Sequence, residues 1–143
     1  MLITQTDVKI TERGWAGHYI CSDKCLFRRN TLIQYKDKNW VVSTIGNQVS
    51  WNPFSKKKEP IPVGYSRWYE TMAFVADDSE YHDVIVDKEI EFDSLDGLYA
   101  KTYDELKGLY PYPDNAANDM HDEVVKELIM KIQKRGINDL FGL

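Results

Sequence analysis

From Asn115 to Arg135 the apolar side chains Ala117, Met120, Val124, Leu128 and Ile132 recur at helical spacing, and Val125 and Ile129 join them on the same face. Pro111 and Pro113 precede this segment, Asp114 or Asn115 is placed to cap it, and Gly136 follows it. Asp119, Asp122 and Glu123 near its start and Lys131, Lys134 and Arg135 near its end suit the helix dipole. A helix with one apolar stripe must lay that stripe on another element, and the residues ahead of it read mostly as strands. The pattern predicts an α+β fold: an antiparallel sheet of about five strands with a long C-terminal helix packed on one face. One domain over residues 1–143 is expected.

The strands are read as follows. Asp7–Arg13 alternates Val8 and Ile10 with Lys9 and Thr11, the period of a half-buried strand. Gly14 and Gly17 bracket Trp15, which predicts a loop or bulge, and Tyr19–Cys21 is read as a short strand. Leu26–Tyr35 and Asn39–Ile45 are rich in β-formers, and the polar Lys36–Asn39 stretch between them predicts a hairpin. Gly46–Gly64, with Pro53, Pro60, Pro62 and the run Lys56–Lys58, reads as a long exposed excursion, because proline lacks the donor that a central strand needs. Tyr65–Ala76 fits helix or strand, and its aromatic and β-branched residues favour strand. Val84–Phe92 reads as a strand with an acidic outer face, after a turn at Asp77–Glu80. A short helical turn is expected around Thr102–Lys107.

No stretch approaches the roughly 20 apolar residues that a membrane-crossing helix needs. The first residues mix charge with apolar side chains and lack the apolar run of an export signal. These readings imply a cytoplasmic protein with no membrane partner. Cys21 and Cys25 are then expected to be reduced thiols, since a disulfide between them would close only a very short loop. The net charge of −5 conceals an asymmetry. Residues 1–68 hold eleven Lys/Arg and five Asp/Glu, whereas residues 69–143 hold seven and eighteen. That split signals either an anion-binding face beside an acidic one, or two parts that pack and neutralise each other.

Three groups of residues are candidates for chemistry. His18, Cys21 and Cys25 are soft metal ligands, with His82 or His121 as a fourth, but the chain lacks the second ligand pair of a structural zinc site. The residues are therefore expected to bind no metal, and no cofactor is expected. A cysteine nucleophile would need His18 as base and Asp23 to orient it, with Arg28 and Arg29 lowering the Cys25 pKa; no hydrolase signature supports this, and no catalytic residue is assigned. The third group is Arg13, Trp15 and His18 with Arg28, Arg29 and Asn30. Arginine forks match phosphates, glycine amides can face an anion and an indole can stack on a base. With Lys56, Lys57 and Lys58 these residues form the expected ligand or partner surface. Asp83, Asp87, Glu89 and Glu91 are the acidic alternative.

The stretches Arg13-Gly14-Trp15-Ala16-Gly17-His18-Tyr19-Ile20 and Cys25-Leu26-Phe27-Arg28-Arg29-Asn30-Thr31-Leu32 resemble a group of small uncharacterised bacteriophage and prophage proteins. Tyr69–Phe74 is similar to the same group, so the resemblance covers about half the chain. It carries no established activity and implies only a setting, an accessory phage protein inside a bacterial cell. The expected function is a non-enzymatic binding protein, an inhibitor of a host or defence factor. The alternatives are a nucleotide or nucleic-acid binder using Arg13–Tyr19 and Arg28–Asn30, and a metal- or cysteine-dependent enzyme.

Overall fold

The computed structural model describes residues 8–14, 24–92 and 98–135. Among these residues the elements run β1 (Lys9–Glu12), β2 (Cys25–Tyr35), β3 (Lys38–Asn52), β4 (Lys57–Ile61), β5 (Tyr69–Ala76), β6 (Val84–Ile90), α1 (Tyr103–Leu109) and α2 (Pro113–Arg135). All strand pairs are antiparallel, in the order β1-β2-β3-β5-β6. The α+β reading, with a long C-terminal helix on one face of an antiparallel sheet, holds.

The sheet is built around β3. Its residues 39–47 are all buried, and they show no period-2 alternation because both faces are covered. On one face Trp40 and Val42 pack with Ile33 and Tyr35 of β2, Ala73 and Val75 of β5, and Val124, Leu128 and Ile132 of α2. On the other face Val41 packs with Leu32, Ala76 and Val84, while Ile45 packs with Cys25 and Val63. The apolar stripe of α2 thus lies where its periodicity puts it; Met120, half-buried, packs against a second cluster containing Trp68, Tyr69, Leu106 and Ala117.

The start of α2 differs in detail from the sequence reading. The helix begins at Pro113, whose missing N–H is one of the four that a helix start leaves unbonded anyway. Asn115 and Ala116 donate their amides to the Tyr112 carbonyl at 3.0 and 3.2 Å. Asp114 lies inside the first turn and accepts from the Tyr69 hydroxyl at 2.6 Å. At α1 the Thr102 side chain caps the helix by accepting from the Glu105 amide.

The excursion expected over Gly46–Gly64 is a correction. β3 runs on to Asn52 and turns at residues 53–56 into β4, with Trp51 opposite Lys58 and Asn52 opposite Lys57. Pro60 is tolerated because β4 is bonded to β3 alone, so one edge of β4 needs no donor. The Asn52 side-chain oxygen accepts from the amides of Phe54 and Ser55, and Lys56 turns left-handed at φ 55°.

The faces of β6 also differ from the simple alternation. Its pairing with β5 shifts register between Phe74 and Ala76. This bulge places Val84 in one core cluster and Ile85 with Ile90 against the other, and leaves Val86 78% exposed. The turn before it is organised by Asp77, whose carboxylate accepts from the amides of Ser79 and Asp83 and from the Ser79 hydroxyl.

Gly46 is required by a close approach. The Tyr69 ring lies against it, so an added Cβ would fall 2.0 Å from Tyr69 Cδ1. Tyr69 cannot yield easily, since it packs edge-on to Phe27 at 5.7 Å and its hydroxyl is held between Asn47 and Asp114. Gly46→Ala is therefore expected to destabilise the fold by about 1–3 kcal/mol or more, as overpacked sites do. An unchanged urea midpoint would contradict the placement of this ring.

Candidate functional site

A group of linked polar side chains lies under α2. His121 is fully buried, at 0% exposure, on the stripe that Ala117 and Val124 share. Its Nε2 is 2.7 Å from the Thr31 hydroxyl and its Nδ1 is 2.7 Å from the Thr44 hydroxyl, which in turn is 2.6 Å from that of Thr71. Thr31 donates its proton to Glu12 at 2.7 Å. The Thr31 hydroxyl can therefore only accept from His121, which fixes the neutral imidazole with its proton on Nε2. Thr44 then donates to Nδ1, and Thr71 donates to Thr44. Burial, with Arg29 adding positive charge nearby, pushes the His121 pKa down to about 4.

Glu12 continues the chain outward. Arg29 holds it bidentately at 2.9 and 3.2 Å, and also bonds Asp122 at 2.7 Å and the Asn118 side chain at 3.2 Å. Burial pushes the Glu12 carboxyl up, but the bonds from Arg29 and Thr31 outweigh it and leave the pKa below the usual value. Burial likewise works against the Arg29 charge, and its two carboxylate partners more than offset this. The result is a tie joining β1, β2 and α2. Its two ring nitrogens are both occupied and out of solvent reach, so His121 has nothing to offer a substrate or a metal.

The expected arginine surface is divided by the fold. Arg29 is committed to this tie. Arg13, half-buried, donates from Nε to the Asn30 side-chain oxygen at 2.9 Å and from its two terminal nitrogens to the carbonyls of Tyr81 and His82. Burial lowers its pKa, and Asp83 partly opposes that. Arg28, on the face opposite Arg29, is exposed. Trp15, His18, Cys21 and Asp23 lie outside the described residues. The Cys25 side chain is buried against Ile45 and Val63. The imidazole Nδ1 of His82 is 3.0 Å from the Asp77 carbonyl. Among the described residues no three His, Cys, Asp or Glu side chains gather where they could hold a metal ion.

The lysine run has a different setting. Lys56 lies in the turn of the β3–β4 hairpin, and Lys57 and Lys58 begin β4, all three exposed. The same hairpin exposes Trp51 by 59% and Phe54 by 95%. These aromatics were not among the expected site residues. Their signal was present in the sequence, as Trp51 and Phe54 flank Asn52-Pro53 just ahead of the lysines, and only reading the stretch as an unstructured loop hid it. Beside β4 a cleft of about 660 Å³ opens towards Lys101, Thr102 and Tyr103 at the start of α1.

No protein-family model, no curated protein and no solved structure matches this chain. No helix among the described residues is long and apolar enough to cross a membrane. The functional reading therefore rests on the chemistry of these surfaces.

Proposed function

We propose that this is a non-enzymatic binding protein, phage- or prophage-encoded, that engages a host or defence protein in the bacterial cytoplasm through its β3–β4 hairpin. The observation that carries the reading is the exposure of Trp51 and Phe54 at the end of a strand whose other half is the centre of the core. A large apolar ring held in water gains free energy when a partner covers it, and aromatic residues dominate the energetics of protein interfaces. Of the described candidates for an enzymatic reading, Cys25 and His121 are buried and His82 is half-buried. The nucleic-acid reading through Arg13–Tyr19 and Arg28–Asn30 keeps Arg28 as an exposed cation, while Arg13 and Arg29 serve contacts within the fold.

Affinity capture from bacterial lysate, run in parallel with the chain and with a Trp51→Ser/Phe54→Ser variant, tests the proposal. A protein retained by the first and lost from the second is the expected result. Since both side chains are exposed, the variant should melt within a few degrees of the parent. Equal capture by both would move the partner surface away from the hairpin, and retention only of nucleic acid, weakening with salt, would favour the alternative through Arg28.

A further inference from the structure

We propose that the cleft between β4 and the start of α1 takes an acidic segment of the partner polypeptide, with its carboxylates at Lys58 and Lys101. The inference rests on the hairpin being the partner surface and adds the chemistry of what binds there. Lys58 reaches the cleft from the hairpin and Lys101 from the segment preceding α1, far apart in sequence. Among the described residues neither forms an ion pair, whereas the two acids on the cleft wall are already matched. Glu59 lies 3.9 Å from Lys57 and is bonded by Asn52 at 2.7 Å, and Asp104 lies 3.6 Å from Lys107. Lys58 and Lys101, without ion-pair partners of their own on a wall whose acids Glu59 and Asp104 face Lys57 and Lys107, mark discrete points for anionic groups rather than a continuous positive track. A nucleic-acid backbone needs the track; a peptide with spaced carboxylates needs only the points.

The mode of contact follows from the strand beside the cleft. Pro60 removes a donor from β4, so the strand is poorly made for adding a further strand along its edge. Recognition falls to side chains. Lys58 stands directly opposite Trp51 across the hairpin, so a carboxylate reaching Lys58 brings its neighbours onto the indole.

The test uses the full chain and fluorescence anisotropy, with a labelled peptide of alternating glutamate and leucine and a labelled oligothymidylate as probes. The peptide should bind and the oligothymidylate should bind more weakly. Lys58→Glu/Lys101→Glu should weaken the peptide by roughly tenfold or more, as reversed charges at an interface do. The milder Lys58→Gln/Lys101→Gln should fall between, and both lysines are exposed enough that the melting temperature should hold. Tighter binding of the oligothymidylate, or peptide affinity untouched by the reversal, would overturn the proposal. If the aromatic variant loses a captured protein while the reversal keeps it, the hairpin remains the partner surface and only the acidic assignment falls.

Discussion

Leu128→Ala is expected to destabilise the protein by about 2–5 kcal/mol, the range for leucines truncated in well-packed cores. Leu128 is fully buried, in one cluster with Trp40 and Val42 of the central strand and with Val124 and Ile132 on its own helix. The cavity left by the truncation would open in the middle of the contact between α2 and the sheet, where the long side chains on either side have little room to collapse. For a chain of this size the loss corresponds to a melting temperature lower by roughly 10 °C. The neighbouring Met130, exposed on the other side of the helix, provides the control, since Met130→Ala should change the midpoint little. Equal effects of the two substitutions would mean that the helix is rotated from the position given above.

Acid should unfold the protein early, and through one residue above all. His121 titrates near 4 when folded against 6.5 for an ordinary histidine, so between these values the unfolded chain takes up a proton that the folded chain refuses. Stability from this source is fully present above pH 6.5 and is lost as the pH falls towards 4. Integrated over the shift, the loss is about 2 kcal/mol at pH 5 and about 3 kcal/mol at pH 4. Glu12, whose folded pKa is also lowered, gives a contribution of the same sign at lower pH. Glu89 opposes them weakly, since burial and the charges of Glu91 and Glu70 raise its pKa. Urea midpoints measured from pH 8 to pH 4 should therefore fall steadily below neutrality, and His121→Asn should flatten that slope while lowering stability at pH 8. A profile level between pH 7 and pH 5 in the parent protein would show that His121 is not held neutral. Nitrogen chemical shifts of the His121 ring give an independent check, since only Nε2 should carry a proton.

The elements whose periodicity was strong were the ones legible in the sequence. Val124, Leu128 and Ile132 declare their helix face without reference to anything else, and the run Trp40–Ile45 declares a strand. Two misreadings have definite causes. Proline at 60 suggests a break only if every strand is assumed to need donors on both sides, and an outlying strand does not. The bulge between Phe74 and Ala76 is a tertiary feature that brings Ile85 and Ile90, an odd number of residues apart, to the same core cluster, and no local pattern records it. The inner polar tie was half legible. Thr31 and Thr44 share the inward parity of Ile33 and Val42, and a histidine interrupts an apolar stripe at 121, but only the fold shows that these residues meet. The arginines misled for a physical reason: spacing shows that a cation exists, whereas the cost of burying it, and the partners that offset that cost, belong to the packed chain.

A strand that is clamped for half its length and projects for the other half behaves as a cantilever. The Asn39–Gly46 portion of β3 is bonded on both edges, and the portion from Val49 to Asn52 continues the same backbone out to the tip with only β4 beside it. At about 3.3 Å per residue Trp51 stands roughly 10 Å beyond Gln48, the last residue paired on both edges. A partner that grips the tip pulls on the stiffest line of the molecule, so load enters the centre of the sheet instead of peeling an edge. The same division lets the two ends of one strand answer to different selection: replacements around the tip can change what is gripped, while those behind Gly46 are held by the core.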